Sequence, residues 1–322
     1  MMRHLVTGGA GFIGSHLVDA LLKRGDEVVV YDNLSSGKQA FLAQHKGDAR
    51  YHFVHADVLD TADLALAMKG ADMVWHVAAD PDVRTSGLRA EMHVQQNVIA
   101  TLRVLEAMRV AGVKRIAFTS TSTVYGEATI IPTPEDYAPL EPISLYGASK
   151  LGSEALISAF CHTFDLQGIA FRFANIVGAR STHGVTYDFY NKLKTNPKSL
   201  DILGDGKQLK SYCHVEDCVS AMLHVVSSPW ARYGAYNIGS DDAIDVLELA
   251  RVAAHEWGLP QVGLKTMGAA GTGGWKGDVR KMGLATTKIK KLGWAPKFTS
   301  AEAIRATAKA LANEFGPLSP GA

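Results

Sequence analysis

A tyrosine and a lysine lie four residues apart in the stretch YGASK, as Tyr146 and Lys150. On a helix, residues at i and i+4 share one face. A free tyrosine has a pKa of about 10, and an adjacent lysine cation favours its ionised form. The pair could therefore supply a base that removes a proton from a hydroxyl group. The alternative is an exposed tyrosine that stacks on the stem of a lysine.

A run of hydroxyl side chains is the second candidate for chemistry. Residues 119–123 all carry hydroxyls, and they follow the apolar run RIAF and precede VYG. The run could be a plain loop, or it could present hydroxyls to a substrate. Since RIAF is typical of a buried strand, the hydroxyls would begin where that strand ends.

Three glycines lie between an apolar run and a helix-like segment in VTGGAGFIGSHL. Gly8 permits a tight turn, Gly11 lets the backbone approach a pyrophosphate, and Gly14 lets the helix pack closely on the strand. The N–H groups and the dipole at the start of the helix favour phosphate there. Without further support, the pattern indicates only a tight strand–helix turn.

An acidic residue gives that support. Asp32 ends the apolar run EVVVYD, eighteen positions after Gly14, and an acid about 20 residues beyond the glycines binds the ribose hydroxyls of a dinucleotide. A carboxylate at this place repels a 2′-phosphate, so the sequence predicts NAD rather than NADP. The positive ring of oxidised NAD would also favour the Tyr146 phenolate. Asp57, at the end of the third predicted strand, could reach the adenine or could cap the strand.

These residues need a scaffold of alternating strands and helices. Short apolar runs alternate with helix-like stretches, which is typical of parallel strands covered on both faces. Right-handed crossovers then give a doubly wound α/β sheet. The predicted strands are 4–7, 27–32, 51–58, 73–79, 115–120 and 169–175, and the predicted helices are 12–24, 61–69, 91–111 and 147–165.

The pattern loosens after residue 175, which indicates a smaller second α/β domain. One excursion returns to the main sheet, so the first domain is predicted to comprise 1–175 and about 216–245. The second domain is predicted to comprise 176–215 and 246–316. Residues 317–322 are predicted to be a disordered tail.

Composition excludes several classes of function. The 322 residues carry a net charge of +1 and are 47% hydrophobic, as expected for a globular protein that does not bind nucleic acid. No apolar run reaches the roughly 18–20 residues of a membrane span. The start of the chain does not have the pattern of a signal peptide. The three cysteines lack metal-type spacing and are interpreted as reduced thiols of a cytoplasmic protein, so no metal site is predicted.

The glycine pattern, Asp32, the hydroxyl run and the Tyr146-Lys150 pair together resemble the extended short-chain dehydrogenase/reductase family. Within it, the sequence is similar to NAD-dependent nucleotide-sugar epimerases of the UDP-glucose 4-epimerase type. The similarity covers nearly the whole chain through the motifs GGAGFIGSHL, YDNLSSG, STVYG, YGASK, RFANIVG, GDGKQLKSYCHVED, YNIG and GDVRKM. It implies a Rossmann-type doubly wound parallel sheet that binds NAD and a smaller α/β domain that binds a UDP-sugar.

The resemblance also implies the catalytic roles. Thr121 binds the reacting sugar hydroxyl, with Ser122 as a weaker candidate. Tyr146 acts as the base and then as the acid, while Lys150 binds the nicotinamide ribose and lowers the pKa of Tyr146. The sugar C4 loses hydride to NAD, and the resulting 4-keto sugar turns about its diphosphate link and takes the hydride back on its other face. NAD is thereby regenerated and behaves as a tightly held group.

The resemblance implies contacts to NAD along the carboxyl ends of the strands. The implied residues are Gly8, Gly11, Phe12, Ile13, Gly14, Asp32, Asn33, Ser35, Ser36, Gly37, Asp57, Val58, Ala78, Ala79, Asn97, Tyr146 and Lys150. For Asn97 the alternative is helix capping. His76, on the fourth predicted strand, is expected to be a satisfied core histidine.

The substrate contacts implied by the resemblance, besides Thr121 and Ser122, lie in the second half of the chain. Asn175 would contact the diphosphate, with an Asx turn as its alternative. Arg180 would clamp a phosphate or remain solvated. Lys210 would make a single phosphate contact where many relatives have Arg, and Asp278 would bind the uridine ribose.

One position departs from the pattern of many epimerases. Trp275, itself a predicted substrate contact, stands three residues before Asp278, where those relatives carry an Arg bound to the diphosphate. Lys276 or Arg180 would take over that contact, or the diphosphate is held differently. Met282 stands where some relatives have a bulky Tyr, and a flexible side chain there could admit 2-acetamido sugars.

Related enzymes that dehydrate or decarboxylate nucleotide sugars carry acids next to the reacting hydroxyl. In this chain those positions are Ser122 and Thr123, which favours epimerisation over elimination. The alternatives are an epimerase of UDP-GlcNAc, UDP-glucuronate or a UDP-pentose, a dehydratase or reductase, and a dinucleotide sensor without catalytic activity.

The helices predicted at 91–111 and 147–165 carry more apolar residues than one buried face needs. In relatives the corresponding helices pair across a two-fold axis as a four-helix bundle, so a homodimer is predicted. The apolar residues considered are Leu102, Leu105, Met108, Val110, Leu151, Leu156, Ile157 and Phe160.

Overall fold

The computed structural model describes residues 1–82, 90–271, 273–275 and 277–318. The strands are β1 (Arg3–Thr7), β2 (Glu27–Asp32), β3 (Tyr51–His55), β4 (Met73–His76), β5 (Arg115–Thr121), β6 (Gln167–Phe173), β7 (Asn175–Val177), β8 (Ser199–Ile202), β9 (Leu209–Lys210), β10 (Tyr212–His214), β11 (Tyr233–Ile238), β12 (Ile244–Asp245), β13 (Gly263–Thr266) and β14 (Lys281–Met282). The helices are α1 (Phe12–Lys23), α2 (Thr61–Ala67), α3 (Ala90–His93), α4 (Ala100–Ala111), α5 (Leu145–Phe164), α6 (Val185–Thr195), α7 (Val215–Val226), α8 (Val246–Glu256), α9 (Thr287–Lys290) and α10 (Ser300–Phe315). Two 3₁₀ turns, Gln39–His45 and Ser122–Tyr125, and a π-helix, Val94–Ile99, complete the elements of the described chain.

The chain folds as two compact units. The first comprises residues 1–124, 144–172 and 222–236. The second comprises residues 125–143 and 173–221 together with the described chain from 237 onward. Residues 125–143, which the predicted bounds place in the first domain, belong to the second unit.

A sheet of seven strands forms the centre of the first unit, counted over the described residues, in the order β11-β6-β5-β4-β1-β2-β3. The neighbours from β5 to β3 pair in parallel. The chain order reverses where β1 lies between β2 and β4, and ligands of such sheets bind outside the carboxyl ends of the strands at this reversal. The predicted Rossmann-type doubly wound sheet is confirmed.

The strands are apolar because helices cover both faces of the sheet. Strand residues and helix residues pack into one core, which removes apolar surface from water and supplies most of the driving force for folding. Representative fully buried members are Leu5, Tyr31, Val74, Phe118, Val104, Leu105, Met108 and Ile157.

Helix α5 carries the Tyr-Lys pair. It begins after Ser144, whose hydroxyl oxygen accepts the N–H of Gly147 at 3.0 Å, and such a cap contributes about 1 kcal/mol. It ends at Asp165, whose left-handed backbone (φ +53°) stops the helix. Ile157 and Cys161 anchor its later turns in the core.

The helix predicted at 91–111 is three segments: α3, the π-helix Val94–Ile99 and α4. The irregular turn lies where two side chains bond its backbone. The carbonyl of Asn97 accepts two side-chain hydroxyls, Thr101 Oγ1 at 2.6 Å and Ser153 Oγ at 3.0 Å. Hydroxyls that bond backbone carbonyls in this way compete with the regular helix ladder, and π segments of this kind are frequent at functional sites.

The apolar residues considered for a dimer face differ in burial. Leu105, Met108 and Ile157 are fully buried in the core of the first unit, so they cannot contribute to an outer face. Val110, in contrast, is 77% exposed, and the remaining four are half-buried: Leu102, Leu151, Leu156 and Phe160.

The second unit has its own core and small sheets. Within the described chain, β7 pairs with β10, β8 with β13, and β9 lies between β12 and β14. Its core includes Tyr190, Ile202, Leu249, Ile304 and Leu318. Leu318, which lies in the predicted tail 317–322, is buried in this core, and residues 319–322 lie outside the described residues.

All three cysteines are buried free thiols. Over the part of the chain that the structure describes, no helix combines the length and the apolar character required to cross a bilayer.

Candidate functional site

The turn between β1 and α1 is shaped for a ligand that approaches the backbone closely. Gly8 has φ +68°, and a Cβ added to it would lie 2.6 Å from the backbone N of Ala78. A Cβ on Gly14 would collide with the carbonyl oxygen of Gly8. Gly11 stands at the start of α1, and among the described residues no side chain caps this end. The first N–H groups of the helix therefore suit an anion such as a pyrophosphate.

Asp32 joins the end of β2 to this turn. Its carboxylate accepts the N–H of Ala10 at 2.9 Å and the N–H of Leu34 at 2.8 Å. Each carboxylate oxygen has a further lone pair. Asp32 can therefore also accept the ribose hydroxyls of a dinucleotide while it holds the two loops in place.

The loop after β3 lies at the same edge of the sheet. Asp57 stands two residues beyond β3, so it does not end that strand as predicted. Its Oδ1 accepts the N–H of Leu59 at 2.9 Å, and its Oδ2 accepts Asn33 Nδ2 at 2.9 Å. The carboxylate thus caps a turn and ties the loop after β2 to the loop after β3. The other predicted contacts in these segments are half-buried Phe12, Ile13 and Gly37, exposed Ser35 and Ser36, and buried Val58.

His76, at the end of β4, is a satisfied core histidine, as predicted. Its Nδ1 hydrogen-bonds Thr7 Oγ1 at 2.8 Å, and its Nε2 hydrogen-bonds Thr101 Oγ1 at 3.1 Å. Burial, together with the nearby Lys150 ammonium, lowers the pKa of His76 to about 3. The ring is therefore neutral near pH 7 and holds β1, β4 and α4 together.

Asn97 fastens the loop after β4 to α5. Its Oδ1 accepts the N–H of Asp80 at 2.9 Å, and its Nδ2 donates to Ser149 Oγ at 2.9 Å. It lies inside the π-helix rather than at a helix start, so the capping alternative is wrong. The half-buried Ala78 and Ala79 precede Asp80, and Ala78 lies against Gly8.

Tyr146 and Lys150 lie on one face of α5, next to β5. Lys150 is only 2% exposed, and its Nζ donates to the carbonyl of Thr119 at 2.8 Å. The same Nζ lies 4.6 Å from the ring centroid of Phe118, a distance at which the ring face attracts the cation. The tyrosine is half-buried, and its phenol is hydrogen-bonded by the Thr121 side chain.

Burial shifts both groups towards their neutral forms. It lowers the pKa of Lys150 to about 7, against the opposing effect of the Glu154 carboxylate. It also raises the pKa of Tyr146 above its ordinary value, although the hydrogen bond with Thr121 acts in the opposite direction. In the chain without NAD, loss of water around the phenol outweighs the hydrogen bond with Thr121. The lowering of the Tyr146 pKa by Lys150 stays a prediction.

The hydroxyl run ends β5 at Thr121 and continues into the 3₁₀ turn Ser122–Tyr125. Thr121 Oγ1, besides its contact with Tyr146, accepts the N–H of Thr123 at 3.2 Å. Ser122 is buried and begins the 3₁₀ turn. The structure thus brings Thr121, Tyr146 and Lys150 together, as the sequence predicts.

Two residues near Thr121, Tyr146 and Lys150 were not predicted from the sequence. Glu154, one turn beyond Lys150, is buried in an ion pair with Arg172, and the spacing of Tyr146, Lys150 and Glu154 at i, i+4 and i+8 could have indicated it. His93 is 1% exposed, and its ring lies 6.2 Å from that of Tyr146. Among the described residues, neither ring nitrogen of His93 has a hydrogen-bond partner. No sequence pattern distinguishes this histidine.

Three of the predicted substrate contacts gather in the second unit. Lys210 Nζ pairs with Asp278 Oδ1 at 2.5 Å and lies 5.0 Å from the ring centroid of Trp275. The other oxygen of Asp278 accepts the N–H of Gly274 at 2.8 Å. The sequence did not predict that Lys210 and Asp278 bind each other. Lys276, considered as a replacement for the missing arginine, lies outside the described residues.

Asn175 and Arg180 lie apart from this trio along the chain. Asn175 Nδ2 donates to the carbonyl of Ser211, next to Lys210, at 3.2 Å. This bond links β7 to Ser211, the residue between β9 and β10, and an Asx turn of Asn175 is not among the hydrogen bonds of the described residues. Arg180 follows β7 with left-handed backbone, φ +62°.

No group of three or more His, Cys, Asp and Glu side chains within the described part of the chain is arranged to hold a metal ion.

The geometry agrees with the similarity of the chain to known proteins. The model of the NAD dependent epimerase/dehydratase family matches residues 4–239. A UDP-glucose 4-epimerase of Mycolicibacterium smegmatis is 34% identical over 97% of this chain and 99% of its own length. A crystal structure of a UDP-galactose 4-epimerase has a TM-score of 0.87 at 43% identity and covers 98% of this chain and 100% of its own.

A double mutant of the dTDP-glucose 4,6-dehydratase of Streptomyces venezuelae, solved with NAD bound, is also similar. Its TM-score is 0.89 at 31% identity, over 99% of this chain and 100% of its own. The solved epimerase and the solved dehydratase thus share the fold of this chain, the glycine turn fits a dinucleotide, and NAD is the cofactor. The chain belongs to the NAD-dependent epimerase/dehydratase family.

Proposed function

We propose that the chain is an epimerase that inverts C4 of a UDP-sugar and interconverts UDP-glucose and UDP-galactose. The observation that carries the proposal is the placement of Tyr146 and buried Lys150 on one face of α5, where Lys150 Nζ donates to the carbonyl of Thr119, two residues before Thr121. No carboxylate stands at the next two positions, Ser122 and Thr123. The relative from Mycolicibacterium smegmatis, which bears the name of a UDP-glucose 4-epimerase, supports the choice of sugar.

The residues of the first unit provide acid–base chemistry and orientation. NAD, when bound, would supply a reversible acceptor for the hydride of the sugar C4. Thr121 orients the C4 hydroxyl towards the Tyr146 phenol. Tyr146 takes the hydroxyl proton and later returns it, so that one group serves as base and as acid. Lys150, held by the carbonyl of Thr119, binds the nicotinamide ribose.

The same residues disfavour elimination. Removal of water from the sugar requires a further acid and base next to Thr121, with pKa values near the working pH. Ser122 and Thr123 offer only hydroxyls, which ionise far above that range. Positions 122 and 123 therefore offer the 4-keto sugar no carboxyl group for elimination, which favours the return of hydride.

The first unit is proposed as the NAD-binding domain and the second as the source of the nucleotide contacts. Asp278 is assigned to the uridine ribose, Lys210 to a phosphate, and Asn175 to the diphosphate. Lys210 and Asp278 pair with each other, and the remaining N–H groups of the ammonium and lone pairs of the carboxylate are the groups assigned to the nucleotide. A homodimer and a cytoplasmic location stay predictions.

The test is turnover of UDP-galactose by the purified protein without added NAD. We expect UDP-glucose as the product, because the cofactor is regenerated in each cycle and stays bound. Tyr146→Phe should lower kcat by about a hundredfold or more, since it removes the proton-transferring hydroxyl. UDP-GlcNAc and UDP-glucuronate are tested in parallel, and preferential turnover of either would reassign the sugar. A dehydrated 4-keto product would overturn epimerisation.

A further inference from the structure

A buried charge cluster lies directly behind the Tyr-Lys pair. Glu154, on α5, is 3% exposed. Ser120 Oγ donates to its Oε1 at 2.5 Å, and Arg172 Nη2 donates to its Oε2 at 2.7 Å. Replacing a buried ion pair with apolar residues of similar volume is often neutral or stabilising. Stability alone therefore gives little reason for this cluster, and its position next to the Tyr-Lys pair suggests another role.

Three side chains on one face of α5 contact three successive residues of β5. They stand at i, i+4 and i+8, which places them in one row along the helix. The contacts are Tyr146 with Thr121, Lys150 with the Thr119 carbonyl, and Glu154 with Ser120. Two of these contacts involve groups of the proposed chemistry, and the third does not.

We propose that Ser120 and Glu154 are positioning residues whose hydrogen bond fixes α5 against β5 and thereby aligns Thr121 with Tyr146. Arg172, on the neighbouring strand β6, balances the charge of Glu154 and holds its carboxylate still. Ser120 lies between Thr119 and Thr121 in the chain, so any movement of its backbone moves both. A displacement of about 1 Å at such a site can cost a hundredfold in rate.

Tyr233, on β11, provides a matched comparison. Its hydroxyl donates to the same carboxylate, at Glu154 Oε2 and 3.4 Å. Ser120→Ala and Tyr233→Phe each remove one hydroxyl from Glu154, but only Ser120 lies on β5. If the cluster only stabilises the fold, the two changes should have similar effects on kcat. If it positions Thr121 and Tyr146, only Ser120→Ala should lower kcat.

The first readout is turnover, and it rests on the proposed function. In the NAD-loaded protein, we expect Ser120→Ala to lower kcat roughly tenfold while KM and the NAD content stay at their wild-type values. Tyr233→Phe should keep the wild-type kcat. The inference is overturned if Ser120→Ala keeps its kcat, or if both variants lose kcat in proportion to a fall in Tm.

The second readout needs no substrate, so it separates this inference from the proposed function. The ring signal of Tyr146 at neutral pH, assigned in ring-labelled protein as the signal that Tyr146→Phe lacks, reports the surroundings of the phenol, including Thr121. The signal should shift in Ser120→Ala and stay in place in Tyr233→Phe, and equal positions in all three proteins would contradict alignment. The other groups near the phenol, Asp80 and His93, are the same in all variants. A protein that converts no UDP-sugar would refute the proposed function and leave this measurement valid.

Discussion

At the scale of single residues, burial sets the protonation of the proposed acid–base pair. The sequence predicted that Tyr146 and Lys150 share a face, because the spacing of residues on a helix is fixed by its geometry. It could not predict that burial lowers the pKa of Lys150 and raises that of Tyr146. Desolvation depends on what the rest of the chain packs around each group, and four-residue spacing contains no information about that.

This burial predicts a pH-dependent stability. The pKa of Lys150 falls from 10.5 in the unfolded chain to about 7 in the fold. Between these values the unfolded chain binds more protons, so the free energy of unfolding rises with pH. For the NAD-free protein, we expect this rise to reach up to about 5 kcal/mol relative to Lys150→Met, which keeps the volume of the side chain without its charge. Urea denaturation across this range measures it, and parallel curves for the two proteins would contradict the prediction.

At the scale of elements, the periodicity of apolar residues predicted the sheet and most helix bounds. It did not predict the π-helix Val94–Ile99. That irregularity arises where the hydroxyls of Thr101 and Ser153 meet the carbonyl of Asn97. Ser153 lies 56 residues from Asn97 in sequence, so the contact exists only once α5 has packed on this helix.

The tight packing of the glycine turn predicts that one methyl group added at Gly14 has a large effect on NAD binding and on stability. Gly14→Ala would press against the carbonyl of Gly8 and push α1 away from β1. We expect the variant to lose NAD during purification and to have a lower Tm. The control is Gly152→Ala in α5, where a Cβ would meet Val98 Cγ2 at 3.7 Å, an ordinary contact. That change should retain NAD and raise stability by up to about 1 kcal/mol through helix propensity. Equal NAD content in the two variants would show that the turn tolerates a side chain.

At the scale of the whole molecule, sequence order is a poor guide to which residues fold together. Residues 125–143 follow the strand β5 of the first unit directly, yet they belong to the second. Thr133 forms a bridge with Leu284, and Tyr125 Oη donates to Asn237 Oδ1 at 2.8 Å. Contacts across more than a hundred residues decide this assignment, and no local pattern reports them.

The predicted homodimer can be tested at the half-buried Leu102 of α4. If α4 and α5 form the shared bundle, Leu102→Glu places a charge in an apolar interface and should give a monomer in sedimentation experiments at micromolar concentration. Leu66, an exposed apolar residue of α2, is the control. Leu66→Glu should sediment as the wild type does. A monomeric wild type, or an unchanged Leu102→Glu, would exclude this interface.

The row of contacts between α5 and β5 also limits how the length of the chain can change. Each residue turns an α-helix by about 100°, so one inserted residue between Tyr146 and Glu154 would rotate part of the row away from the strand. A point substitution in this segment affects one of the three contacts. A single insertion or deletion affects one or two of them. Homologues that align with this chain should therefore differ here in residue type but hardly ever in residue number.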